Sequence, residues 1–190
     1  MSKQVIVLLA DGFEEVEAVT PIDYLRRAGL ELATAGVGKN RLVTGSHGIP
    51  LGVDYTLEEL AKAGRADSWD AVLLPGGMPG AANLAASKET GALLKDMAAA
   101  GKWLAAICAS PAVVLAPLGL LAGRRFTCYP GMETRVSGAR WTEDPVVVDG
   151  NIITSRGAGT AALWAVEIIS RLLSPAEGEK VARSVLLRGV

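Results

Sequence analysis

The stretch Trp103-Leu104-Ala105-Ala106-Ile107-Cys108-Ala109-Ser110-Pro111 decides how the rest of the chain is read. An apolar run stops at a cysteine. Small residues and a proline follow, then a second apolar run, Ala112 to Ala116. The first run predicts a short buried strand. The second predicts a helix with Pro111 in its first turn, where a missing N–H costs nothing. Cys108 then stands on a strand-to-helix elbow, which exposes a nucleophile at the top of a sheet. Its sulfur would lie near the N–H groups of a helix start, a setting that favours a thiolate. The competing reading is a small core residue, since free cysteine is commonly buried.

The chain around this stretch has 190 residues, 50% hydrophobic and 21% charged. That composition predicts one globular domain over residues 1–190 with a sizeable core. The net charge of −1 gives no field that would draw nucleic acid or an anionic membrane. Two cysteines, Cys108 and Cys128, are too few for a disulfide framework and suit a reducing, cytoplasmic setting. The apolar run Val5–Leu9 is too short for a signal sequence, and no segment has the length and purity of a membrane span. With a single histidine, His47, a zinc site built from His and Cys is not expected.

Val5–Leu9 and Ala71–Leu74 are continuous apolar runs, as expected of strands buried on both faces. Leu30–Val37 predicts another strand. Glu14–Ala28 has helical spacing and a Gly29 stop, with Pro21 expected to kink it or delay its regular part. Thr56 and Glu59 form a capping-box pattern. Thr90–Ala100 and Thr160–Leu173 predict helices, and Ser174-Pro175 opens a last one. Arg125–Tyr129 predicts a short strand, and Val146–Val148 with Ile152–Thr154 a hairpin. Strands alternating with helices define an α/β fold with a mostly parallel sheet. In such a sheet the site lies beyond the carboxyl ends of the strands. Four segments fall there: Asp11–Glu17, Pro75–Gly80, Cys108–Ser110 and Ser155–Gly159.

Cys108 is the candidate nucleophile. Glu14 and Glu15 are explained by the preference of carboxylates for a helix N-terminus. Glu17 lies one turn further in, where a carboxyl facing the sheet would be desolvated and hold its proton. Such a group could donate to a thiolate and shuttle protons. Gly76 and Gly77 leave backbone N–H groups open to stabilise an oxyanion. His47 sits in a turn-rich segment without a motif and reads as a surface residue, and Cys128 reads as packing. Gly157–Ala162 fits a relaxed dinucleotide-binding pattern, but no strand follows its helix to supply a ribose-binding acid.

These residues resemble the ThiJ/PfpI superfamily, most closely its Parkinson-disease protein deglycase branch with bacterial YajL-like members. The resemblance rests on Gly12–Glu17, Pro75–Ala81, Ala105–Ala109 and Thr154–Thr160, which occur in the family's order across nearly the whole chain. It implies a flavodoxin-like three-layer sandwich and a homodimer. It implies that Cys108 is the reactive, oxidisable nucleophile and Glu17 its protonated partner. Gly77 would belong to the oxyanion loop, opposite the Cys108 and Ala109 amides, and Arg27 and Arg156 would lie near the interface and the site. The activity implied is a cofactor-free glyoxalase or deglycase acting on small reactive aldehydes such as methylglyoxal, or on glycated protein side chains. The alternative is a redox-sensing, chaperone-like protein. Two departures stand out. Tyr129 occupies the place where the deglycase branch often has a histidine. Ala109 follows the nucleophile where the protease branch has histidine, which argues against a Cys-His peptidase.

Overall fold

A computed structural model describes residues 3–63 and 68–187. Val5, Ile6, Val7, Leu8 and Leu9 are all fully buried, because β1 (Gln4–Leu9) is covered on both faces. The period-2 geometry of a strand sends alternate side chains to opposite sides. Val5, Val7 and Leu9 join a core with α1 (Glu15–Arg27), α5 (Ala161–Leu172) and α6 (Pro175–Ser184). Ile6 and Leu8 join a second core with α2 (Leu57–Lys62), α3 (Gly80–Ala86) and α4 (Lys88–Ala99). The result is the expected three-layer sandwich.

The other strands are β2 (Glu31–Gly36), β3 (Leu42–Thr44), β4 (Pro50–Gly52), β5 (Tyr55–Thr56), β6 (Ala71–Leu74), β7 (Trp103–Ile107), β8 (Arg125–Phe126), β9 (Arg140–Trp141), β10 (Val146–Asp149) and β11 (Ile152–Ser155). Seven form the central sheet in the order β10-β11-β7-β6-β1-β2-β5. All its neighbours are parallel except the β10–β11 hairpin. The run β2-β1-β6-β7-β11 is the flavodoxin-like order, and the order in which strands are added reverses between β1 and β6. In such a sheet the crevice lies outside the carboxyl ends of those two strands. All four segments expected at that end follow β1, β6, β7 or β11.

Local chemistry explains most boundaries. Thr56 and Glu59 make the reciprocal capping box that starts α2. Ser87 and Ser174 cap α4 and α6. Three expectations need correction. First, α1 is helical from Glu15 and continues through Pro21, so its regular part is not delayed. Pro21 only removes the N–H that the Glu17 carbonyl would have accepted. Second, the run after Pro111 is not an α-helix. Pro111–Leu115 is a π-helical turn, closed by Ala116 N–H on the Pro111 carbonyl, and a 3₁₀ turn, Ala116–Leu118, follows. Pro117 cannot donate an N–H to extend a regular helix. Third, the strand expected at Arg125–Tyr129 ends at Phe126. Thr127 N–H turns instead to the Thr154 hydroxyl at 2.9 Å.

The β3–β4 hairpin forms a separate sheet laid over the loop after β1. Gly12 N–H donates to the Thr44 carbonyl at 2.8 Å, and Ser46 N–H to the Phe13 carbonyl at 2.7 Å. The buried Glu15 carboxylate fastens its tip, accepting from the His47 amide at 2.7 Å and facing the His47 Nδ1 at 2.8 Å. Burial works against this charge, yet the bonds from the His47 ring and amide and the Ile49 amide outweigh it and hold the carboxyl at about 2. A depressed folded-state value means stability present above pH 4.5 and lost as the pH falls towards 2. Glu15→Gln is therefore expected to flatten the fall in melting temperature between pH 4.5 and 2 relative to the unmodified protein, as read by circular dichroism.

Candidate active site

Cys108 ends β7 with φ of +63°, a conformation that costs a non-glycine residue energy. Two hydrogen bonds hold it there. Its N–H donates to the Ser155 carbonyl at 3.0 Å, and its own carbonyl accepts from Tyr129 N–H at 2.8 Å. The elbow is therefore fixed from β11 on one side and from the segment after β8 on the other. The N–H groups of Gly77 and Ala109 face the half-buried sulfur.

Glu17 comes from the first turn of α1 and is 1% exposed. Glu14 caps the helix by accepting Glu17 N–H at 2.7 Å, which sets the direction of this turn. Glu17 Oε2 accepts Gly76 N–H at 2.8 Å, and the carboxyl lies against Cys108, the two groups meeting across the space beside Gly76. Burial pushes the Glu17 carboxyl up to about 7. The group that sequence reasoning placed as a protonated partner is thus in contact with the nucleophile.

The expectation of a thiolate held by a helix end alone is not met. Burial pushes the Cys108 thiol up to about 12, and the neighbouring charge of Glu17 acts in the same direction. The Gly77 and Ala109 amides pull the other way. A proton on Glu17 removes its charge and turns the carboxyl into a donor to sulfur. The ionisation therefore belongs to the pair, since charge on either group disfavours charge on the other.

The amides also sort differently from expectation. Gly76 N–H is taken by Glu17, and Cys108 N–H by Ser155, so neither is free for an oxyanion. Gly77 and Ala109 remain as donors facing the sulfur. Gly76 has a steric duty instead. A Cβ there would lie 2.6 Å from the Cys108 Cβ and 2.8 Å from Glu17 Oε2, so no larger residue fits between the two reacting groups. Gly77, at φ of +83°, would bring a Cβ to 2.5 Å from the Glu14 nitrogen.

The other candidates fall outside this contact. Arg156 donates to the Glu143 carbonyl at 2.9 Å, and Arg27 pairs with Asp23 at 2.7 Å on the surface of α1. His47 is exposed and engaged by Glu15, which matches its reading as a surface residue. Cys128 is fully buried, and burial pushes its thiol up to about 12. Tyr129 is half exposed, and its ring passes about a contact distance, 3.5 Å, from where a Gly157 Cβ would stand. Thr160 closes the glycine loop by receiving Gly157 N–H at 3.1 Å, which accounts for the pattern without a nucleotide. Among the described residues, Glu14, Glu15 and His47 bring potential metal ligands within 4.8 Å, but the hairpin bonds already engage Glu15. Sequence reasoning gave Glu15 only a helix-dipole role. The buried anchoring became visible only with the hairpin in place.

A parallel sheet of flavodoxin-like order, with a cysteine elbow and a buried carboxyl at the crevice between β1 and β6, defines an α/β sandwich with a cysteine-centred site. The chain belongs to the DJ-1/PfpI family, whose model matches residues 3–171. It is 38% identical to Protein dj-1beta of Drosophila melanogaster over 98% of both chains. It is 39% identical to Protein DJ-1 homolog B of Arabidopsis thaliana, of which it spans only 41%. It is 36% identical to Deglycase PYRAB04690 of Pyrococcus abyssi, over 89% of this chain and 99% of that one. Among solved structures, the oxidized form of Toxoplasma gondii DJ-1 superposes with a TM-score of 0.94 at 36% identity, covering 99% of this chain and 100% of that one.

The raised value of Glu17 makes a signed prediction. The fold prefers the protonated carboxyl, so its contribution is complete below pH 4.5 and is lost as the pH rises through about 7. Urea unfolding should show the unmodified protein losing about 3 kcal/mol between pH 4.5 and 8 that Glu17→Gln does not lose. Equal pH dependence in the two proteins would mean that Glu17 is charged throughout.

Proposed function

We propose that the protein is a cofactor-free glyoxalase or deglycase acting on 2-oxoaldehydes such as methylglyoxal, or on their early adducts with protein side chains. The single observation that carries this reading is the buried Glu17 carboxyl, held by the Gly76 N–H and set against Cys108. In the reaction, the sulfur adds to the aldehyde carbon as the carbonyl π bond breaks, and the proton lost by the thiol passes to the oxygen to give a hemithioacetal. Glu17, as the carboxylate, then removes the proton from that carbon and returns it to the adjacent carbon, while the hydroxyl proton passes to the former ketone oxygen, producing a lactoyl thioester. Water cleaves the C–S bond and regenerates the cysteine, so methylglyoxal plus water becomes lactate and a proton. The Gly77 and Ala109 amides support negative charge at the reacting centre. A relative named as a deglycase, alike over 89% of this chain, supports the same class.

The working unit is a homodimer, and the setting the cytoplasm, where free thiols stay reduced. Val16 and Val19, one turn apart on α1, are nearly half exposed, and Ile49 on the adjoining hairpin is more than half exposed. Such a patch favours a second copy of the chain. None of the helices among the described residues is long and apolar enough to cross a membrane. Nucleic acid and membrane are not partners in this reading. A second reading has one observation in its favour. The same Gly77 and Ala109 donors suit the oxygens of a sulfinate on Cys108, the chemistry of a redox sensor.

Methylglyoxal consumption with lactate detection, without glutathione, tests the choice. Turnover is expected in the unmodified protein and should fall by at least about 10²-fold in both Cys108→Ser and Glu17→Gln. Absent turnover, with peroxide adding two oxygens to Cys108 by intact mass, would replace the enzyme by the sensor.

A further inference from the structure

Ser110 occupies the N-cap position of the turn that follows the nucleophile, yet its side chain makes no capping bond. A serine at that position ordinarily accepts a backbone N–H of the next turn. Here the hydroxyl turns the other way. Ser110 is 0% exposed, and its Oγ donates to the Pro75 carbonyl at 2.6 Å, at the short end for such a bond. Pro75 directly precedes Gly76, whose N–H is on Glu17, and Gly77, whose N–H faces the Cys108 sulfur.

We propose that Ser110 is a positioning residue: its buried hydroxyl ties the Pro75–Gly77 loop to the Cys108 elbow and so sets the Gly77 amide on the sulfur. The inference rests on Cys108 being the reacting atom, and it holds for turnover and oxidation alike. Three observations carry it. First, the loop after β6 is otherwise anchored elsewhere: Glu14 N–H donates to the Gly76 carbonyl at 3.1 Å, and Ala81 N–H to the Gly77 carbonyl at 2.9 Å. Among the described residues, the Ser110–Pro75 bond is the direct hydrogen bond between this loop and the elbow that does not use the sulfur. Second, the two segments meet without slack, since Gly76 leaves no room for a Cβ beside Cys108 and the Ala109 nitrogen. A small shift of the loop therefore changes the approach of Gly77 to the sulfur. Third, a serine hydroxyl does not titrate near neutrality, so this tether persists while Glu17 gains or loses its proton. Glu17 and Ser110 thus grip the two ends of one peptide group, Glu17 through the Gly76 N–H and Ser110 through the Pro75 carbonyl, directly before the Gly77 amide.

Ser110→Ala leaves the Pro75 carbonyl buried without its donor and lets the loop relax. The test is the pH profile of Cys108 alkylation by iodoacetamide, with the labelled site mapped by mass spectrometry and folding checked by circular dichroism. The apparent pKa of Cys108 is expected to rise by about one unit in Ser110→Ala, with an alkylation rate at pH 7 lowered about tenfold. Ser110→Cys, of similar size but a poorer donor, should fall between. Ser170→Ala removes a comparable hydroxyl-to-carbonyl bond, 2.9 Å to Val166 within α5, and should leave the profile unchanged. An unshifted profile in folded Ser110→Ala, or an equal shift in Ser170→Ala, overturns the proposal. Alkylation needs no aldehyde substrate, so either result is separate from success or failure of the turnover assay.

Discussion

The meeting of the buried Glu17 carboxyl with Cys108 is the constraint on which the site depends. A carboxyl and a thiol in contact, both withdrawn from water, cannot both be charged without a large energetic cost. The fold resolves this by pushing the carboxyl up to about 7. Cys108 is therefore not held as a thiolate by a helix end. It is a thiol whose ionisation depends on where its neighbour keeps a proton. The surrounding contacts serve that arrangement. Glu14 aims the first turn of α1, Gly76 leaves room for contact, and Gly77 and Ala109 supply donors to the sulfur.

The architecture brings these groups together because the strand order reverses between the parallel neighbours β1 and β6. Glu17 arrives from the helix after β1, the glycines from the loop after β6, and Cys108 from the end of β7. Three chain segments separated by dozens of residues converge there. The strained Cys108 backbone persists because its N–H and carbonyl are bonded to two further segments, at Ser155 and Tyr129.

Much of this was legible in the residues. Apolar runs fixed the central strands, since burial on both faces leaves no alternation to misread. Cys108 stood out because an apolar run stopped at it, and Glu17 because it lay one turn beyond the positions that a helix dipole explains. What escaped was set by contacts distant in sequence. Pro111 looked like the start of a regular helix, while the π-helical turn answers to Pro117 downstream. Glu15 looked like its neighbour Glu14, although one caps a helix and the other fastens a hairpin 32 residues away. The free oxyanion amides were misassigned because nothing local reveals that Ser155 and Glu17 already hold the Cys108 and Gly76 N–H groups.

The separate hairpin divides the molecule into a part that must stay fixed and a part that is free to drift. Its attachment runs through backbone bonds to Gly12 and Phe13 and through one buried carboxylate. Outward-facing positions such as Leu42 and Ile49, both more than half exposed, take no part in that attachment with their side chains. Substitutions at these two positions can therefore reshape the rim without touching the meeting of Glu17 with Cys108.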